Sequence, residues 1–567
     1  MTGRSVTNRR ARVALDGSTA QALETGRTRL LVAGMMFAVA FLVIGWRLVD
    51  VAVLSAGARH AFGSPGEPPV HGRADIVDRN GVILATSLPS VSLYANPHEI
   101  RDPRRAARRL AEVLPELSES ALSAKLDTDG SFIWLRRDLT PRQADRVNRL
   151  GIPGLHFKEE QRRIYPHSEL TAHVVGFTDI DDRGLAGIEQ SFDEVLRDSA
   201  EPVALSLDVR VQYAVARELA DTIERFSAIG ATGLVMDARS GELLAMASLP
   251  EFDPTKPGDA PDEARFNRAT LGVYEMGSVF KIFTTALALD SGAVSLQSGF
   301  DVSRPIRVAR YTITDYKPKG GWLSVPEIFM YSSNIGTVHM ALAAGTQTQR
   351  AYLNRLGLMR PASVELGEVG DPMLPSPWRE INTMTVAFGH GMAVSPVQLI
   401  SAVGAVVNGG LFRPATLIRQ SRFDRTEGRQ VLRPSTSEKM RRLMRLVVQR
   451  GTGRKADAPG FRVGGKTGTA DKLVNGRYVR DRRVASFVAA FPIEDPRYVI
   501  FVMVDEPEGI EETFGYATGG WVAAPAVRRI VERIGPMLGI EPATEDPDSG
   551  EALLVKARAK AQHVAAN

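Results

Sequence analysis

Residues 460–470 read GFRVGGKTGTA, and two different folds claim them. Gly460, four intervening residues, Gly465, Lys466 and Thr467 match the loop that cradles phosphates in nucleotide-binding α/β domains. From Lys466 onward the same letters are KTG, the third element of a serine acyl-transfer site. The flanks separate the two readings. A phosphate loop follows a strand and opens a helix whose N-terminus receives the anion. Here GTGRKADAPG (451–460) precedes the motif and GTADKLVNGRYV (468–479) follows it. Neither is the required element: Gly468, Thr469, Val474 and Tyr478 suit an extended strand and a turn.

The acyl-transfer reading makes two demands upstream. YEMGSVFKIFTTALALDSG (274–292) places Ser278 and Lys281 three apart at the start of an apolar helix. That spacing puts both side chains on one helical face, so the amine can touch the hydroxyl. MYSSNIG (330–336) then supplies Ser332 and Asn334 at the head or turn of a helical segment. A lone SxxK has a bland reading as a helix cap with a surface lysine, and SSN alone says little. SxxK, SxN and KTG in this order are the specific combination.

Composition bounds the rest. At 567 residues the chain exceeds one ordinary core and divides into two or three domains. Lys+Arg 70 against Asp+Glu 65 leaves +5, and no basic stripe interleaves with aromatics, so nucleic acid is not expected as a partner. There is no cysteine, and the nine histidines form no HExxH-like pair, so neither a metal nor a cofactor is called for.

Leu30 to Trp46 run without a charge, and Arg4, Arg9, Arg10, Arg12, Arg27 and Arg29 precede them against Asp16 and Glu24. This predicts a transmembrane helix over 30–50 with a cytoplasmic leader over 1–29 and the remainder exported. A cleavable signal peptide is the rival reading, with SAGA (55–58) as its site. PGEPPVHGR (65–73) breaks the chain, and Asn80-Gly81 signals a hairpin. Residues 101–150 read as helical, and 51–203 as a mixed module without a catalytic cluster. From 204 the order is helix, hairpin, helical middle, hairpin, helix. An α+β domain over 204–540 follows, an antiparallel sheet with helices on its faces, and 541–567 is a polar tail.

These motifs, with RADIVDRNG (73–81), RRIYP (162–166), GIEQSF (187–192), FGHGMAVSPVQL (388–399), VVQRGTG (447–453) and ATGGWVAAPAVRRI (517–530), resemble the class B penicillin-binding proteins, the peptidoglycan transpeptidases. The resemblance covers residues 71–535 and, within the family, is nearer the division-specific (FtsI) type than the elongation-specific one. Ala74 and Met276 depart from the usual Arg-Gly and Pro-Gly-Ser. The resemblance implies an inner-membrane anchor, a dimerisation-type pedestal and a β-lactamase-like transpeptidase domain on the periplasmic side. It also implies D-Ala-D-Ala stem peptides and β-lactams as ligands, with an FtsW-type glycosyltransferase and small bitopic division proteins as partners. Vestigial motifs on a membrane scaffold, or a hydrolytic β-lactamase or carboxypeptidase, are the alternatives.

A serine hydroxyl needs a base in contact. Lys281 can serve if neutral, an outcome expected from burial behind Phe280, Ile282 and Phe283 and from repulsion by Lys466. Ser332 would pass a proton to the departing amine, and Asn334 would orient substrate and Lys281. Lys466, Thr467 and Thr469 would bind the terminal carboxylate, with Gly468 leaving room for a substrate backbone. By resemblance, the N–H groups of Ser278 and Thr469 would hold the oxyanion. His390 reads as a supporting loop residue, Arg162, Arg163 and Glu189 as pedestal stabilisers, and Asp315 as undecided.

Overall fold

The strand that carries KTG lies at the edge of an antiparallel sheet, and this placement organises the molecule. The structure is a computed structural model, described here for residues 31, 34–42, 72–308, 311–421, 427–474, 477–543 and 554. Residues 1–70 and 71–567 form separate units. The span expected over 30–50 falls mostly outside the described residues, as do the leader over 1–29 and nearly all of the tail. Residues 34–42 are helical and exposed. Among the described residues no helix is long and apolar enough to cross a membrane.

In the second unit, residues 72–204 build a small sheet. The long strand β1 (Ile83–Ala95) pairs antiparallel with β2 (Ile133–Leu139) and with β3 (Leu155–Ile164). Ile76–Val77 joins β1 and also runs parallel to Val203–Ala204. The Asn80-Gly81 turn forms as expected: Asp78 Oδ1 accepts from the backbone N–H groups of Asn80 and Val82, and Gly81 sits at φ 84°. The all-helical expectation for 101–150 does not hold. Helices Pro103–Val113, Glu119–Leu126 and Pro141–Asn148 form, but β2 stands between the last two. Leu135 and Leu139, with Ile133 packed against them, complete a core with Leu93, Leu110 and Leu126 that isolated helices would leave open.

Beyond this module, helix α1 (Val209–Phe226) leads into the hairpin β4 (Gly230–Asp237) and β5 (Leu243–Leu249). The helical middle follows: α2 (Lys281–Asp290), α3 (Val325–Tyr331), α4 (Asn334–Ala344), α5 (Pro396–Val407) and α6 (Pro434–Arg450). Then come β6 (Gly464–Val474), β7 (Arg477–Phe491), β8 (Tyr498–Asp505) and α7 (Ala523–Met537). The sheet order is β6-β7-β8-β4-β5, antiparallel throughout.

Both faces of this sheet are covered, which explains why β8 is buried along its whole length. On one face α1 and α7 pack over Val235, Ala485, Phe487 and Ile500. On the other, α2, α5 and α6 enclose Leu234, Val488 and Phe501. The second core continues into the pedestal through Ile76, Leu84, Val174 and Ile188. Because Lys466 lies inside β6, paired opposite Val488, the phosphate-loop reading is excluded: no helix opens after Gly465.

Candidate active site

Ser278 sits in a single 3₁₀ turn, Gly277–Phe280, which feeds directly into α2. The turn is pressed against β6. Gly277 adopts φ 53°, and a methyl group there would meet the Thr469 carbonyl oxygen at 2.3 Å. At Gly468 a methyl would meet Ser486 Oγ at 2.3 Å and the Met276 carbonyl oxygen at 2.7 Å. The glycine of KTG therefore lets the turn that carries Ser278 dock on the strand. This differs from the expected role, in which the missing side chain made room for substrate.

Ser332 terminates α3 in the left-handed conformation, φ 60° and ψ 44°, a rare state for a residue with a Cβ. The conformation turns its hydroxyl between two lysines. Lys281 Nζ donates to Ser332 Oγ at 3.0 Å, and Lys466 Nζ donates to the same oxygen at 2.9 Å. Lys281 Nζ also reaches the Ser332 carbonyl at 2.6 Å and Asn334 Oδ1 at 2.7 Å. Lys466 Nζ further contacts the Thr467 carbonyl and hydroxyl at 3.2 and 3.3 Å.

The two lysines are 1% and 0% exposed, an environment that penalises an ammonium ion. Burial lowers the Lys281 pKa to about 7, against the opposing pull of the Asp315 carboxylate. Lys466 is pushed well below the usual lysine range, by burial first and then by the charge of Lys281. Desolvation is thus the main cause at Lys281, as expected, while the repulsion falls on Lys466.

Ser278 is half-buried, and its hydroxyl has no hydrogen bond among the described residues. The direct bond to Lys281 anticipated from their spacing is not made; the amine is engaged one helix away by Ser332 and Asn334. Such contacts commonly close only once substrate is bound. Thr467 Oγ1 lies 2.8 Å from Thr452 Oγ1, and Thr469 Oγ1 accepts from the Gly519 N–H at 3.1 Å. Both hydroxyls are therefore fixed by the loops before β6 and before α7.

Asp315, undecided from sequence, is placed by the structure beside the SxN motif. Its carboxylate accepts from Ser333 Oγ at 2.7 Å, Asn334 N at 2.5 Å and Ile335 N at 3.0 Å. It thereby caps α4 and holds Asn334 in place. Glu275 is a second residue the motifs did not reveal. It accepts from the Gly391 N–H at 2.8 Å and from the Tyr478 hydroxyl at 3.0 Å, and burial raises its pKa. His390 packs its ring against Phe388 and Tyr478, and burial lowers its pKa. Arg163 and Arg73 both bind the fully buried Glu189, at 2.7 and 2.5 Å. Arg162 makes no such contact. Among the described residues no group of carboxylates and histidines could hold a metal ion.

Known proteins share this arrangement of chain. Residues 231–532 match the family described as penicillin binding protein transpeptidase domain, and 69–211 match the penicillin-binding protein dimerisation domain. A probable peptidoglycan D,D-transpeptidase FtsI of Caulobacter vibrioides is 43% identical over 83% of this chain and 82% of its own. The peptidoglycan D,D-transpeptidase FtsI of Escherichia coli K12 is 31% identical over 83% and 84%. Crystalline penicillin binding protein 3 of Mycobacterium tuberculosis, complexed with ampicillin, superimposes with a TM-score of 0.67 at 24% identity, over 84% of this chain and 97% of that one. That likeness bears on the fold alone. With a transpeptidase match over more than half its length and a dimerisation-domain match before it, the chain belongs to the class B penicillin-binding proteins.

Proposed function

We propose that this protein is a penicillin-sensitive serine D,D-transpeptidase that cross-links peptidoglycan stem peptides, with Ser278 as nucleophile. The observation that carries the reading is the Ser332 hydroxyl suspended between two buried amines, 2.9 Å from Lys466 and 3.0 Å from Lys281, the lysine one turn along from Ser278. Neutral Lys281 takes the Ser278 proton as Oγ attacks the carbonyl of the penultimate D-alanine. The N–H groups of Ser278 and Thr469 stabilise the oxyanion. Ser332 relays a proton to the amine of the terminal D-alanine, which leaves. Lys466, Thr467 and Thr469 hold the carboxylate of that residue, whose arrival restores the charge on Lys466. An amine from a neighbouring stem then attacks the acyl-enzyme and frees Ser278. β-Lactams acylate the same serine and stall there.

The proposal extends to place and partners. Residues 51–203 act as pedestal and 204–540 as catalytic domain. The uncharged run Leu30–Trp46 behind an arginine-rich leader supports a single-pass anchor over 30–50 with the catalytic unit outside the cytoplasm. Similarity to proteins named FtsI supports a septal role beside an FtsW-type glycosyltransferase and small bitopic division proteins. Incubating the protein with a pentapeptide donor and an amine acceptor checks the reaction. Release of D-alanine with a cross-linked product is expected, whereas D-alanine release with hydrolysis alone would make the enzyme a carboxypeptidase.

A further inference from the structure

Three lysines without counter-ions lie over aromatic rings on segments that flank the SxN and KTG elements. Lys317 Nζ stands 5.3 Å from the ring centre of Tyr516, Lys319 Nζ 4.8 Å from that of Tyr331, and Lys455 Nζ 4.0 Å from that of Trp521. All three lysines are exposed, and none forms an ion pair among the described residues. An aromatic face holds an ammonium ion in position without neutralising it, so its charge stays available to an anion.

These rings are tied to the catalytic groups. Tyr331 immediately precedes Ser332. Tyr516 stacks on Trp521, centroids 6.1 Å apart and planes 12° from parallel. Trp521 follows Gly520, where a methyl would lie 3.6 Å from Thr467 Cγ2. Lys455 lies three residues beyond Thr452, the hydrogen-bond partner of Thr467. The chain thus joins the set to Ser332 and to Thr467, the latter among the groups that take the terminal carboxylate in the reaction above.

Reaction chemistry says what must pass that end. The amine that resolves the acyl-enzyme enters where the D-alanine amine left, because the second half-reaction is the first run backwards with a different amine. Its nitrogen bonds to the acyl carbon, the bond from that carbon to Ser278 Oγ breaks, and the amine proton returns to Oγ through Lys281. The acceptor therefore approaches over the lysines. We propose that this lysine–aromatic ledge recognises the acceptor strand, and that its ligand is a stem peptide carrying free carboxylates near the attacking amine. The inference rests on the transpeptidase reading and adds to it the charge of the acceptor.

The test uses the full-length protein in detergent, an N-acyl-D-Ala-D-Ala donor, and two acceptor peptides with the same amine, one with free carboxylates and one amidated. The readout is the partition of the acyl-enzyme between aminolysis and hydrolysis, which is independent of how fast it forms. The free-carboxylate peptide should be favoured by about tenfold. Lys317→Gln with Lys455→Gln should erase that preference, and the corresponding arginine variants should keep it. Equal use of both acceptors by the wild type, or a preference that survives the glutamine variant, overturns the ledge while leaving the transpeptidase intact. If the glutamine variant fails to fold, salt decides with the wild type: the preference should fall as ionic strength rises, and a salt-insensitive preference counts against the proposal. A wild type that releases no D-alanine and takes up no penicillin overturns both readings.

Discussion

Burial penalises an ammonium ion at Lys281, and at residue scale the reactivity proposed above starts from that desolvation. With its pKa lowered to about 7, Lys281 is protonated in acid and becomes a base as pH rises through that value. Penicillin acylation should climb about tenfold per pH unit below 7 and level off above it. A flat profile from pH 5 to 9 would remove Lys281 from the base's role. Asp315 opposes the shift, so Asp315→Asn should move the acid limb to lower pH. The same change weakens the α4 cap at Ser333, Asn334 and Ile335, so thermal stability should fall by about 1–2 kcal/mol. Gly277→Ala forces a methyl onto the Thr469 carbonyl and strains φ 53°. Stopped-flow acylation should slow by about a hundredfold, the effect of displacing a nucleophile by roughly 1 Å.

At the scale of elements, the sequence separates what is local from what is not. SxxK and SxN announce themselves because each pair is close in sequence: Ser278 and Lys281 are one turn apart, and Ser332 and Asn334 flank the junction of α3 and α4. The flanks of Lys466 identify a strand because Thr469, Val474 and Tyr478 favour extended backbone: β6 runs through the first two and β7 through Tyr478. Asp315 was illegible: its partners stand eighteen to twenty residues downstream, beyond α3, with no periodicity joining them. Glu275 likewise gains meaning only when β7 and the Gly391 loop fold onto it. The sequence also hid β2, whose short apolar run is compatible with helix or strand until Leu93 and Leu110 close the core around it. In the pedestal, the roles of Arg163 and Arg162 could not be told apart until β3 set which one turns inward. Glu189 is 0% exposed between Arg163 and Arg73. Glu189→Ala, which leaves two buried guanidinium groups short of a partner, should destabilise the 71–567 unit by about 3–5 kcal/mol in urea unfolding. A loss under about 1 kcal/mol would mean that the cluster is not structural.

For the whole molecule, the chain divides at residue 70 into two compact units. Every residue assigned to the reaction lies beyond it, so a protein comprising residues 71–567 should take up penicillin at the full-length rate. Inactivity of that fragment would require a part for the first unit in shaping the site. The shared apolar core, running from Ile76 and Ile188 of the pedestal to Leu234 and Phe501 of the sheet, explains why pedestal and catalytic domain should unfold together. The central claim is that the hydroxyl of Ser278 becomes the acyl carrier. Intact-mass spectrometry after fluorescent-penicillin treatment examines it most directly. The wild type should gain the mass of one penicillin, mapped to the peptide containing Ser278, and Ser278→Ala should gain none. A Ser278→Ala protein that still carries the covalent adduct would contradict the account.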